Sequence, residues 1–152
     1  MAIASRANIT AARLEKNIAF QRMVVRFFPS FYGLGEPHVD GRSVDYVGPV
    51  DDCQKNHLLG TAAALLMPIE WEEPFGLVAA EAQMCGCPVV GYRRGALPEV
   101  VIEAIGGFLL EPGDQQGLVR SIALAMRLDR ASIRNSAQAR LGVDRMVDEY
   151  ER

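Results

Sequence analysis

The chain is poor in the residues from which metal centres and disulfide frameworks are built. It has three cysteines and two histidines among its 152 residues. Cys85 and Cys87 form a C-x-C pair with no histidine close to them in the sequence. Structural zinc needs four closely spaced ligands, and an odd cysteine count leaves no complete set of disulfides. The sequence therefore predicts reduced, structural cysteines, and neither a metal nor another cofactor is expected.

Charge and hydropathy argue against two further classes of protein. The formal net charge of −3 does not suit a nucleic-acid binder, which carries a basic stripe. No apolar run approaches the ~20 residues of a membrane-spanning helix, and the first residues lack the continuous apolar core of a signal peptide. Neither a P-loop nor a dinucleotide-binding glycine motif is present. A soluble, cytoplasmic protein is the expectation.

Short apolar segments alternate with helical patterns along the chain. This alternation predicts an α/β fold with a doubly wound parallel sheet, followed by a helical tail. The predicted strands are residues 44–47, 62–67, 89–92 and 107–110. The predicted helices are residues 20–28, 52–60, a segment from Gly76, a turn at 97–100 and the tail after Asp114, and residues 1–7 are expected to end a helix.

Two carboxylates mark the most informative segment. Glu73 and Glu81 stand eight positions apart, where a charged loop passes into an apolar, helix-forming run. In one continuous helix they would be separated by roughly 12 Å along the axis and roughly 80° around it. If the helix begins near Gly76 instead, Glu73 precedes its N-terminus and Glu81 lies about one turn inside. Both side chains then face the same ligand.

The residues between these carboxylates favour an anion. Pro74 fixes one backbone angle and Gly76 removes the side chain where a ligand would approach, so the N–H groups of Phe75, Gly76 and Leu77 are expected to point outward. Bare amides at a helix N-terminus attract phosphate. Carboxylates beside a phosphate make sense when they accept hydrogen bonds from sugar hydroxyls. A nucleotide diphosphate sugar has this arrangement of ribose, phosphates and hexose.

These motifs also carry a resemblance to a known family. The order and spacing of Tyr46–Val50, Leu65–Pro68, Glu73–Leu77, Cys85–Val90 and Gly95–Val100 resemble the C-terminal, donor-binding domain of GT-B retaining glycosyltransferases of group 1, family 4. The resemblance implies a Rossmann-like nucleotide-sugar domain over residues 1–112, with residues 113–152 as helices that pack on it. It also implies hexose transfer from a nucleotide diphosphate sugar with retained configuration, without a metal.

The resemblance implies a role for each site residue. Glu73 would hold the transferred sugar as the catalytic-site carboxylate, and Glu81 would bind the ribose hydroxyls. The amides of Phe75, Gly76 and Leu77 would contact the diphosphate and the sugar. The loop residues Gly48, Pro49 and Val50 would lie beside the base, and Arg93 and Arg94 are further candidates for nucleotide binding.

Other readings of these residues remain open. Glu73 can be a carboxylate that only stabilises the helix start, Glu81 a surface residue, and the arginine pair solvated charge. Glycoside hydrolysis also uses two carboxylates, but a hydrolase has no phosphate to bind. The alternative to a transferase is a non-catalytic nucleotide-sugar-binding remnant or interaction module.

The resemblance leaves part of the family's architecture unmatched. We expect the acceptor-binding N-terminal domain and the first strand of the donor domain to be missing, so that the isolated chain binds donor weakly and transfers nothing. The expected partner is a UDP-, GDP- or ADP-linked sugar. A separate acceptor domain or a second copy of the chain are further possible partners, whereas nucleic acid and a membrane span are not expected.

Overall fold

A computed structural model describes residues 2–5, 23–25, 44–45, 50–143, 145, 147 and 151. These residues form an α/β structure in which helices cover a single sheet. The strands are β1 (Ala2–Ser5), β2 (Met23–Val25), β3 (Val44–Asp45), β4 (Ala62–Met67), β5 (Val89–Tyr92) and β6 (Gly107–Leu110). The helices are α1 (Asp52–Thr61), α2 (Leu77–Met84), α3 (Leu97–Val100), α4 (Gln115–Ala125) and α5 (Arg130–Leu141).

The sheet has six strands in the order β3-β2-β1-β4-β5-β6. β4, β5 and β6 are parallel, and their register pairs Leu65 with Val89 and Val89 with Gly107. β1 runs antiparallel to both of its neighbours, β2 and β4. The carboxyl ends of β4, β5 and β6 consequently lie at one edge of the sheet, where ligands of α/β proteins commonly bind.

Alternation along the strands builds one apolar core on each face of the sheet. Leu65, Met67 and Val89 lie on the face that α1, α2 and α3 cover, and Leu141 of α5 packs at its margin. Leu66 and Val90 lie on the opposite face, against α4. All positions of β4 and β5 are buried, as expected for parallel strands with helices on both sides. The expected doubly wound arrangement is confirmed.

Local signals fix where several helices begin. Asp51 caps α1 with its carboxylate on the Gln54 amide, and the Gln54 side chain returns a hydrogen bond to the Asp51 backbone. This reciprocal pair is a capping box. Asp114 and Asp129 cap α4 and α5 in the simpler way, each accepting from an amide three residues on. Such caps stabilise a helix by about 1 kcal/mol each.

The predicted elements from residue 52 onward are confirmed. The strands 62–67, 89–92 and 107–110 have the predicted bounds, α1 ends within a residue of its prediction, and α2 begins immediately after Gly76. β3 covers the first part of the strand predicted at 44–47, and the remainder of that prediction lies outside the described residues.

Two predictions nearer the start of the chain are wrong. Residues 2–5 were expected to end a helix and form β1 instead, paired on both sides through β2 and β4. Residues 23–25 were placed in a helix by apolar spacing, and they form β2. The β-branched residues Val24 and Val25 suit a strand, and pairing with two neighbours outweighs the local helical pattern. The sheet is therefore mixed, with antiparallel pairs at β1.

Candidate functional site

The candidate site lies at the carboxyl edge of the sheet, where two loops meet. One loop follows β4 and contains Glu72, Glu73 and Gly76, and the other follows β5 and contains Arg94 and Gly95. The Ala96 amide donates to the Glu73 carbonyl at 2.7 Å. A Cβ atom on Gly95 would overlap the Glu73 backbone, and Gly95 has a φ of +50°. Only glycine allows the loops to approach this closely.

A carboxylate reinforces this contact between the loops. Glu72 accepts from the Gly95 amide at 2.6 Å and from the Arg94 guanidinium at 2.9 Å. These two donors, the guanidinium first, lower the pKa of Glu72. The side chain is well exposed, so solvent screens the ion pair. Its contribution is geometric, since it fixes the backbone immediately before Glu73.

Gly76 makes the transition from the loop to α2. Its φ of +65° is a left-handed conformation, and its missing side chain leaves room for Val100, whose Cγ2 would lie 3.2 Å from a Cβ atom. Its carbonyl accepts from the Ala80 amide at 3.0 Å, which is the first hydrogen bond of the helix. As the N-cap residue, Gly76 has no side chain with which to cap the first-turn amides of α2. The N-terminus of α2 therefore offers amides to a ligand.

Glu73 lies directly in front of this helix start, as predicted. Its Oε1 accepts from the Gly76 amide at 3.2 Å, and its Oε2 accepts from the Trp71 indole N–H at 3.3 Å. One detail of the sequence prediction is thereby corrected. The Gly76 N–H was expected to be free for a ligand, but it donates to Glu73 because the tight turn brings the carboxylate back onto its own loop.

Glu81 lies one turn inside α2 and is held by a lysine from α1. Lys55 Nζ lies 2.6 Å from Glu81 Oε1 and 2.9 Å from Asp52 Oδ1. The Lys55 side chain is only 16% exposed, whereas that of Glu81 is 39% exposed. The hydrogen bond to Glu81 raises the pKa of Lys55. Lys55 therefore stays charged at neutral pH and orients a carboxylate that remains accessible to solvent.

The two residues flanking Gly76 project outward. Phe75 is 71% exposed and Leu77 is 69% exposed. Neither side chain belongs to a core, so packing does not explain why large apolar residues stand at these two positions. Both stand beside the uncapped N-terminus of α2, where they border the space a ligand would occupy.

The arginine pair separates in the structure. Arg94 is directed toward the loop of Glu73 through its contact with Glu72. Arg93 turns toward β6, where it donates to the Leu109 carbonyl and lies 3.6 Å from the carboxylates of Glu103 and Glu111. The structure thus brings Arg94 to the candidate site, whereas Arg93 points to β6 and its neighbouring carboxylates.

The proposed base-side loop is described in part. Val50 lies just before the Asp51 cap of α1 and is half-buried. Gly48 and Pro49 lie outside the described residues. Since Lys55 connects the first turns of α1 to Glu81, the start of α1 lies beside the ribose-binding candidate.

Sequence reasoning missed several residues that shape the site. Lys55 left no signal, because its contact with Glu81 spans 26 positions. Gly95 belongs to one of the motifs that carry the resemblance, but its close approach to Glu73 was not predicted. Trp71 is the single tryptophan of the chain, and its position two residues before Glu73 was the one available clue.

Comparison with known proteins assigns the chain to a family. Residues 40–140 match the family model of the glycosyl transferases of group 1, so the chain belongs to this family. The D-inositol 3-phosphate glycosyltransferase of Mycolicibacterium smegmatis is 32% identical over 146 residues, a match that covers 86% of this chain and 34% of that protein. The chain thus spans about a third of the length of this relative.

Solved structures agree on the fold. The sucrose-phosphate synthase of Thermosynechococcus elongatus superposes with a TM-score of 0.61 at 30% identity, covering 72% of this chain and 30% of that one. Anabaena HepE, in complex with UDP and glucose, gives a TM-score of 0.60 at 26% identity and covers 71% of this chain and 31% of that one. The α/β architecture expected for a GT-B donor domain is confirmed.

Two further features concern ligands and membranes. Among the described residues, no group of three or more histidine, cysteine, aspartate or glutamate side chains is arranged to hold a metal ion. The same residues include no helix with the length and hydropathy needed to span a bilayer.

Proposed function

We propose that this chain binds a nucleotide diphosphate sugar and forms the donor site of a retaining hexosyltransferase. The observation that carries the proposal is the uncapped N-terminus of α2, with Glu73 directly before it and Glu81 one turn inside. HepE, which shares the fold, was solved with UDP and glucose and with UDP-glucose. UDP-glucose is therefore the first donor to test.

Each part of the donor has a partner in this arrangement. The diphosphate lies against the amides at the start of α2, where the helix dipole and N–H groups favour negative charge. Glu81, oriented by Lys55, accepts from the ribose hydroxyls, and Glu73 accepts from hydroxyls of the transferred sugar. Phe75 and Leu77 border this site with their exposed apolar side chains. Val50, before the cap of α1, lies toward the base. The base contacts predicted for Gly48 and Pro49 lie outside the described residues.

The same groups serve the reaction. As the bond between sugar and diphosphate breaks, negative charge grows on the leaving phosphate. Amides that are already aimed at this phosphate stabilise the charge without reorganisation. Glu73 and Glu81 hold the donor in one orientation, which lowers the entropic part of the barrier. Arg94 adds positive charge at the same edge of the sheet.

This chain by itself is expected to bind donor without transferring sugar. In this proposal, all of the groups described here are assigned to the donor. Donor binding without turnover is also what a non-catalytic nucleotide-sugar module would show. The two functions separate when the acceptor-binding part of a relative and that relative's acceptor are both added. Only a transferase then moves the sugar to the acceptor hydroxyl and releases nucleoside diphosphate.

The test is a calorimetric titration of the chain with UDP-glucose, GDP-mannose and ADP-glucose. We expect one nucleotide to bind, and Glu81→Gln to weaken its binding about tenfold, because a charged acceptor of two oxygens becomes a neutral amide with one acceptor oxygen. The matched control is Glu151→Gln, an exposed glutamate at the end of the chain, which should leave the affinity unchanged. Absence of binding by all three donors would refute the proposal.

A further inference from the structure

Each oxygen of the Glu73 carboxylate receives its own hydrogen bond. The Gly76 amide donates to Oε1 and the Trp71 indole donates to Oε2. The first donor is part of the backbone that defines the helix start. The second is a side chain that reaches across its own loop to a residue two positions on. Trp71 therefore orients Oε2, the carboxylate oxygen to which the Gly76 amide does not donate.

The surrounding contacts fix the backbone of Glu73 but not its side chain. The Ala96 amide holds the Glu73 carbonyl, Glu72 holds the Gly95 amide, and Gly95 closes the gap between the loops. The remaining freedom of Glu73 lies in its side-chain torsions. A carboxylate with two donors at defined positions loses that freedom before a ligand arrives, which lowers the cost of binding.

Trp71 is also more exposed than folding requires. Its side chain is 41% exposed and belongs to neither core of the sheet. A tryptophan ring offers a large apolar surface and one N–H donor. Here the donor is turned to Glu73 while part of the ring faces solvent beside the loop. The ring thus lies beside the carboxylate to which the proposed function assigns the transferred sugar.

We propose that Trp71 is a positioning residue for Glu73 and that its ring forms a wall of the sugar subsite. This inference rests on the proposed function, and it divides the site in two. Trp71 and Glu73 act on the hexose, whereas Lys55 and Glu81 act on the nucleoside. Loss of the indole N–H should therefore weaken binding of the sugar and leave binding of the nucleoside diphosphate intact.

The experiment compares the affinities of UDP and UDP-glucose in the wild type and in Trp71→Phe, with GDP or ADP and their sugars substituted if the wild type selects another base. The quantity to compare is the sugar gain, which is the affinity for UDP-glucose divided by the affinity for UDP. We expect Trp71→Phe to reduce this gain about tenfold, since a hydrogen bond to a carboxylate no longer orients it. The affinity for UDP should stay within about twofold, as for a substitution that only touches the sugar subsite.

A double variant separates positioning from a merely structural role. In a Glu73→Ala background, Trp71→Phe should cause little further loss of the sugar gain, because the carboxylate that it orients is absent. An unchanged sugar gain in Trp71→Phe, or an equal loss of affinity for UDP and UDP-glucose, would overturn the inference while leaving the proposed function standing. Failure of the wild type to bind any nucleotide would overturn both.

The hydrogen bond itself can be observed without ligand. Trp71 is the single tryptophan, so a ¹H–¹⁵N correlation spectrum contains one indole resonance. We expect this resonance to move when Glu73 is replaced by alanine and to stay in place in the Glu151→Ala control. An indole resonance that Glu73→Ala leaves unchanged would contradict the pairing on which the inference depends.

Discussion

Gly76 shows how one residue can determine the position of a whole site. Its left-handed backbone turns the loop into α2, and its hydrogen atom occupies the space where a side chain would meet Val100. The turn also returns the amide of Gly76 to Glu73. The helix start, the carboxylate and the direction of the exposed neighbours thus all depend on a residue without a side chain.

Replacement of Gly76 by alanine should destabilise the protein by about 1–2 kcal/mol, since a left-handed conformation is unfavourable for residues with a Cβ atom. Urea unfolding followed by circular dichroism measures this change. Gly60→Ala is the matched control. Gly60 lies within α1 and a Cβ atom there meets nothing within 4 Å, so this variant should be as stable as the wild type or more stable by up to ~1 kcal/mol. Equal stability of the two variants would contradict the prediction.

At the scale of single residues, the sequence indicated the candidate site residues better than it indicated their hydrogen-bond partners. Glu73, Gly76 and Glu81 could be selected because they share one short segment, and their order along the chain already limits how they can meet. Lys55 could not be selected, because its partner Glu81 belongs to another helix and nothing local indicates which helix faces it. The prediction of a free amide at Gly76 was also wrong, because a sequence does not show the direction of the Glu73 side chain.

Among the elements, α5 makes a cluster of hydrogen bonds to two other helices through its first residue. Arg130 donates to the carbonyls of Gly60 and Ala62 at 2.8 Å each, and to those of Leu59 and Cys85 at 3.3 Å. These carbonyls belong to the end of α1, to the first residue of β4 and to the residue that follows α2. Gly86, which follows α2, lies so close that a Cβ atom would be 2.7 Å from the Arg130 carbonyl. One guanidinium therefore joins three helices.

Arg130→Met should lower the free energy of unfolding by about 2–3 kcal/mol, because it removes charged hydrogen bonds from partly buried carbonyls. Arg134→Met, at an exposed position of the same helix, should change stability by less than about 0.5 kcal/mol. Denaturant unfolding of both variants checks the difference. Similar midpoints for the two variants would mean that the carbonyls are satisfied without Arg130.

The elements also show where sequence patterns are sufficient. α1 was predicted within a residue because its cap and its apolar residues lie inside ten positions. β4 and β5 were predicted because they are buried on both faces and flanked by breaks in the pattern. β1 and β2 were missed because a three- or four-residue strand has little pattern of its own. Whether such a segment forms a strand depends on its neighbours in the sheet. For β1 one of these is β4, which lies about sixty positions further along the chain.

For the whole molecule, a buried thiol makes the free energy of unfolding sensitive to alkaline pH. Cys87 lies fully buried beside α2, on the face shared with Leu65 and Val89. Burial, which disfavours a thiolate, raises its pKa to about 12. The unfolded thiol loses its proton at an ordinary pKa of ~8.5. The folded state therefore holds this proton over a pH range in which the unfolded state has released it.

The sign of the pH effect follows from this difference in bound protons. The contribution of Cys87 is fully present below pH ~8.5 and is lost as the pH rises toward the folded pKa. At pH 10 it should amount to a loss of roughly 1–2 kcal/mol. Urea unfolding at pH 8 and pH 10, under reducing conditions, should show a smaller decrease for Cys87→Ala than for the wild type. Cys53→Ala, which changes an exposed thiol, should decrease as the wild type does.

The whole fold was the most predictable level. Alternating strands and helices determined the α/β class, and the resemblance indicated which edge of the sheet carries ligands. The mixed direction of the sheet was not predictable in the same way, since it comes from β1, whose neighbours are distant in sequence. Family membership then agreed with the fold, since the family model matches residues 40–140, a range that contains β4, β5 and β6.

The exposure of Phe75 and Leu77 has a consequence for how such proteins diversify. Both side chains project from a loop and a helix start whose backbone is fixed by other residues. Exposed positions of this kind contribute little to folding, so mutations there spare stability. Natural selection can therefore sample new side chains beside the proposed donor site at little cost in stability. If the donor binds there, substrate preference and fold stability depend on different residues, and this separation makes the domain evolvable.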